Sequence, residues 1–151
     1  MAIAEADIAE LTTLLDKGRD DWIHGRLQWE NPDSLLAQAE DATIFGPFGG
    51  IPPAGAVPNV RPEIQRKVAA QFTGGSGSTE LVRAIVEGDL VVAVYIDRSK
   101  VRFADQADDR PWSLRVTEVF RKKDQKWVRI HRHADPLVQY RDLDATRNLL
   151  D

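Results

Sequence analysis

Between Trp112 and Asp135 the chain reads WSLRVTEVFRKKDQKWVRIHRHAD, a stretch that gathers three acids, several arginines and two of the three histidines. Strand side chains alternate between two faces. Taken as two strands around a polar turn, one face carries Leu114, Val116, Glu118, Phe120, Val128, Ile130, Arg132 and Ala134. The other carries Arg115, Thr117, Val119, Arg121, Arg129, His131, His133 and Asp135. The first face is apolar apart from one acid and one base, which is the character of a ligand pocket. In such a pocket Arg132 would orient an anionic or carbonyl group and Glu118 would act as general base. The competing expectation is a buried ion pair that fixes the sheet register. An arginine lowers the pKa of the carboxylate it holds and so makes it a weaker base.

His131-x-His133, with Asp135 beyond, has a spacing that places two imidazoles on one face of a strand, and zinc accepts such ligands. That face is the polar one, however, and no Glu-x-x-His motif completes a site; His24 belongs to the first helix. Both histidines are therefore expected in a dimer interface or bonded to a neighbouring strand, with no metal and no cofactor. Trp22, Phe45, Phe48, Trp112 and Trp127 are groups for a core or a pocket wall. In Leu90–Arg98, Tyr95 and Asp97 share a parity with Val91 and Ala93, while Arg98 shares the other with Val94 and Ile96. Both faces are mixed, so either could enter a cavity.

A chain of 151 residues has room for one domain with a proper core. No apolar run approaches the ~18–20 residues a membrane helix needs, and MAIAEADIAELTT is not built as a secretory signal. The absence of cysteine removes thiolate chemistry and fits a cytoplasmic protein. A net charge of −4 disfavours nucleic-acid binding, and Arg121-Lys122-Lys123 is expected to be a solvated hairpin tip.

These residues need elements to position them. Ile8, Leu11, Leu15 and Trp22 form one stripe of a helix over Ala4–His24. Asn31-Pro32-Asp33 predicts the cap and first turn of a second helix reaching Ala39. Ala42–Phe45 is a short strand. Gly46–Asn59, with four glycines and four of the eight prolines, is the longest irregular stretch, of the kind that forms binding loops. It lacks the Gly-Lys-Ser/Thr of a phosphate loop. Ile64, Val68 and Phe72 predict a third helix over Pro62–Phe72, ended by Gly74–Ser78. Strands over Thr79–Glu87 and Leu90–Arg98 turn at Gly88-Asp89. Residues 104–110 form a polar connection, and a helical tail over 137–151 follows Asp135-Pro136, with Asp135 as its cap. Helices followed by strands predict an α+β fold.

ATIFGPFGG, IDRS, LRVTEVFRKKDQKWV and IHRHADPL, in this order of elements, resemble the SnoaL-like branch of the nuclear-transport-factor-two-like superfamily, over roughly Ile8 to Leu137. The resemblance implies a cone-shaped barrel: a curved, mainly antiparallel sheet wrapped around three N-terminal helices, in a single domain. It implies a homodimer through the outer sheet face, and a pocket closed by the first helix and first strand, hence by Trp22 and Phe45. With Tyr95 and Trp112 these make the ligand-binding set; Glu118 and Arg132 make the catalytic one. The superfamily includes cofactor-free lyases, isomerases, cyclases and hydrolases acting on apolar carbonyl or hydroxyl compounds. It also includes a non-catalytic kinase association domain, in which a similar hairpin sends polar side chains into the cone. Limonene epoxide hydrolase has an acid–arginine–acid pocket that Glu118 and Arg132, with Asp97 or Asp41, could mimic. The ketosteroid isomerase tyrosine has no counterpart that can be placed.

Overall fold

The computed structural model describes residues 2–50 and 62–150. Helix α1 spans Glu5–Ile23 and buries Leu11, Leu15 and Ile23, as the 3.6-residue stripe requires. After it come β1 (Leu36–Phe45), α2 (Pro62–Ala69), β2 (Phe72–Glu87), β3 (Leu90–Phe103) and β4 (Arg110–Pro111). The chain then forms β5 (Leu114–Lys123), β6 (Lys126–Pro136) and a short α3 (Leu143–Arg147). The strands form one sheet in the order β1-β6-β5-β3-β2, with β4 beside β3. Only the β1–β6 pair is parallel. This is the expected α+β arrangement, but β1 and β2 remain edges, so the barrel is not closed. Leu11 and Leu15 of α1 pack on Tyr95, Val116, Phe120 and Trp127 of the sheet's inner face.

Several expectations fail for physical reasons. Asn31–Ala39 is a turn leading into β1, not a helix, so among the described residues two α-helices rather than three precede β2. Asn31 Oδ1 accepts the Asp33 N–H at 3.0 Å, which turns the chain instead of capping a helix. Alanine, leucine and glutamine favour a helix locally, but pairing with β6 buries Leu36 and overrides them. Helix α2 ends at Ala69, and Phe72 opens β2. The glycine run is then part of a strand rather than a terminator. A Cβ on Gly75 would stand 2.2 Å from the Lys100 carbonyl oxygen, and one on Gly77 2.8 Å from Arg19 Nε. Glycine inside a strand marks close approach; here β3 and α1 are what come close.

The last hairpin carries the third correction. Leu114, Val116, Glu118 and Phe120 are buried along β5, as alternation predicts. Along the start of β6 the order is reversed: Trp127 and Arg129 are buried, while Val128 and Ile130 are half-buried. Phe120 stands opposite Arg129 and Val119 opposite His131, so Ile130 is an extra residue, a β-bulge. A one-residue slip exchanges the two faces. Beyond it Arg132 and Ala134 share the face of Glu118 and Val116. Asp142, not Asp135, caps the final helix, accepting the Ala145 N–H at 2.8 Å. Among the described residues no helix is long and apolar enough to cross a membrane.

Candidate ligand cavity

A cavity of about 290 Å³ lies between α1, α2 and the inner face of the sheet. Trp22, Trp29, Phe48, Val68 and Trp112 supply apolar wall; Arg19, Gln28, Tyr95, Asp97, Ser99 and Arg132 supply polar groups. The aromatic wall is braced from behind. Phe72 lies 5.6 Å from Trp22 and 5.4 Å from Trp112 between ring centres, and Phe103 lies 5.8 Å from Trp112. Residues 46–50 border the cavity; the rest of the segment expected to be a binding loop, 51–59, lies outside the described residues.

Glu118 is fully buried and does not line this cavity. Its Oε1 accepts Arg132 Nη1 at 2.8 Å and stands 2.8 Å from Arg129 Nε; its Oε2 accepts the Tyr95 hydroxyl at 3.0 Å. Arg132 Nη1 also donates to the Tyr95 oxygen at 3.1 Å. The bulge is what allows this arrangement, since it turns both Arg129 and Arg132 inward onto one carboxylate. Burial alone would raise the Glu118 pKa, but the two guanidiniums outweigh it and hold the carboxyl below the usual range. Burial, and then the Glu118 charge, push the Tyr95 phenol well above its ordinary value, so it remains an O–H donor.

Asp97, on β3, is the opposite case. It is 7% exposed and lines the cavity. Ser99 Oγ donates to its Oδ1 at 2.8 Å, and the nearest cation contact is Arg19 Nε at 4.0 Å. Burial raises its pKa; the Ser99 hydrogen bond and the charges of Arg132 and Arg19 offset this only in part. A carboxylate of this kind binds a proton more readily than an ordinary one and is the stronger base.

Of the residues singled out from sequence, Trp22, Tyr95, Trp112 and Arg132 border the cavity and Glu118 stands behind Tyr95 and Arg132. Phe45 does not border it. Alternation along β1 gives the wall position to Ile44, and Phe45 is 48% exposed with its ring against His131 and His133. His131 Nδ1 is 2.6 Å from Thr43 Oγ1, a bond to the neighbouring strand. Among the described residues no group of three His, Cys, Asp or Glu could hold a metal. Sequence reasoning passed over Arg19, Ser99 and Arg129. Arg19 lies four residues after Leu15 on the helix stripe, and Ser99 shares parity with Tyr95, so both carried a signal. Arg129 was given the outer face by carrying one parity across the turn; the observed register, Lys123 opposite Lys126, sets it opposite Phe120 and so inward.

No family model and no curated protein matches the chain. Solved structures do. A proposed calcium/calmodulin-dependent protein kinase II association domain from Xanthomonas campestris superposes with a TM-score of 0.60 at 17% identity, covering 91% of each chain. A proposed dehydratase of the NTF2-like family from Streptomyces avermitilis gives 0.56 at 18% identity, over 89% of this chain and 95% of that one. A domain of unknown function with a cystatin-like fold from Nostoc punctiforme gives 0.56 at 16%, over 97% and 94%. The fold is NTF2-like. At these identities the likeness establishes the NTF2-like architecture alone, and an NTF2-like fold carries unrelated activities.

Proposed function

We propose that the chain binds a small, mainly apolar molecule in the cavity between α1 and the sheet. On this proposal it performs cofactor-free proton transfer there on a compound bearing a carbonyl or hydroxyl group, as a lyase, isomerase, cyclase or hydrolase. The observation that carries this is an apolar-walled cavity holding one carboxyl group, Asp97, that is not consumed by a close ion pair. Asp97 is the proton acceptor, Arg132 the group that polarises or holds an oxygen, and Trp22, Tyr95 and Trp112 the wall. Glu118, expected as base, is instead assigned to positioning Arg132 and Tyr95. The SnoaL-like resemblance, with its homodimer through the outer sheet face, is consistent with this assignment.

A binding module without catalysis is the second possibility, favoured by the pairing of Glu118 with two arginines. Solvent exchange separates the two. Simple cyclic ketones in deuterium oxide, followed by NMR, are expected to lose protons next to the carbonyl faster with the protein than without it. Asp97→Asn is expected to remove the acceleration. Binding of the ketones with no accelerated exchange supports the non-catalytic module. Failure of the ketones and of ethylbenzene to bind at millimolar concentration, by ligand-observed NMR, overturns the pocket itself.

A further inference from the structure

Three of the five N–H donors of Arg19 are assigned within the fold. Its side chain is 9% exposed; Nη1 donates to Asp16 Oδ1 at 2.8 Å and to Thr79 Oγ1 at 2.9 Å, and Nη2 to the Gly77 carbonyl at 3.0 Å. These bonds pin the guanidinium against β2, where Gly77 leaves room for it. Nε is left over. It is buried without a hydrogen-bond partner, and Asp97 Oδ1 is 4.0 Å away, beyond hydrogen-bond reach. Buried polar groups in proteins are nearly always satisfied, so an orphaned donor beside a lining carboxylate calls for an explanation.

We propose that Arg19 and Asp97 form a hydroxyl-recognition subsite, and that the ligand is an alcohol or phenol on an apolar body. This rests on the pocket assignment above and specifies its ligand class. The choice follows from donor and acceptor arithmetic. A group placed between Arg19 Nε and Asp97 must accept from the first and donate to the second. A carbonyl or ether oxygen accepts but sets its remaining lone pair against the carboxylate. An ammonium donates but meets the Nε–H. A carboxylate meets a second negative charge. A hydroxyl does both. Around it, Arg132 from β6 and Ser99 from β3 complete the polar rim, and Glu118 on β5 is screened by its own two arginines. The volume suits such a body: a cavity of about 150 Å³ is enough for benzene.

Three matched probes test this at pH 7.5 by ligand-observed NMR: 4-ethylphenol, 4-ethylanisole and ethylbenzene. A hydrogen bond to a charged group predicts that the phenol binds at least about tenfold tighter than the anisole. In Asp97→Asn the Ser99 hydroxyl engages the amide oxygen and the amide N–H2 faces the subsite, so the preference is expected to vanish or reverse. Equal affinities of phenol and anisole for the wild type, or a phenol preference that survives Asp97→Asn, overturns the subsite while leaving the pocket intact. Failure of all three probes to bind overturns the pocket and the subsite together.

Discussion

Glu118 and Asp97 are both buried carboxylates on neighbouring strands of one sheet, yet their surroundings pull them in opposite directions. Glu118 meets two guanidiniums and a phenol within 3.0 Å and is held ionised. Asp97 meets one hydroxyl at that range, its nearest guanidinium nitrogen stands 4.0 Å off, and burial keeps its proton affinity high. The first is a structural anion; the second is the one to which the proposed proton transfer is assigned. The lesson is that a buried acid opposite an arginine is a poor candidate for a base, because the partner that makes it conspicuous also lowers its pKa.

The sharpest way to break this contrast is to neutralise each acid in turn. Glu118→Gln leaves Arg129 and Arg132 buried without a counter-charge and is expected to cost about 3–5 kcal/mol. Asp97→Asn removes a poorly compensated carboxylate and is expected to be neutral or stabilising at pH 7. Urea unfolding of both variants decides it, and equal losses would erase the distinction. A smaller effect is expected from Gly77→Ala, whose Cβ would stand 2.5 Å from the Arg98 carbonyl oxygen and 2.8 Å from Arg19 Nε. Overpacking of this kind costs about 1–3 kcal/mol. It should also displace Arg19 and weaken 4-ethylphenol binding.

The mildest test uses pH. Glu118 has a folded pKa below its ordinary value, so its stabilisation is complete above about pH 4.5 and is lost as pH falls through the folded pKa. Asp97 has a folded pKa above its ordinary value, so the folded state holds that proton more tightly than the unfolded one. Its contribution makes stability fall as pH rises from about 3.8 through the folded pKa, by no more than about 1.4 kcal/mol per pH unit. Asp97→Asn should abolish that slope and leave the acid-side loss due to Glu118. Superimposable stability–pH profiles for wild type and Asp97→Asn would show that Asp97 is not an unfavourably buried carboxylate.

Much of this arrangement was legible in the residue pattern. The α1 stripe, the Gly88-Asp89 turn and the inward face of β5 all follow from period and parity. Three features did not. The segment before β1 has helix-forming composition and becomes a strand because β6 offers an edge to pair with. The run Gly74–Ser78 looks like punctuation, although Gly75 and Gly77 serve the close approach of β2 to β3 and α1. The third was the face of β3 that enters the cavity. Asp97 and Ser99 continue the parity of Val91, Ala93 and Tyr95, but charged and apolar groups are mixed on both faces of that strand, and only packing against α1 breaks the tie.

The final hairpin divides what each level decides. Alternation along each strand groups Glu118 with Val116 and Phe120, and Arg132 with Ala134, because side-chain direction along a strand is a local property. The pairing partners of Glu118 were not local. The two-residue turn sets Arg129 opposite Phe120 and so inward, the single extra residue Ile130 then brings Arg132 to the same face, and a helix distant in sequence brings Arg19 toward Asp97. Which acid is neutralised and which is left to act is a matter of distances between elements. No spacing within one segment records those distances.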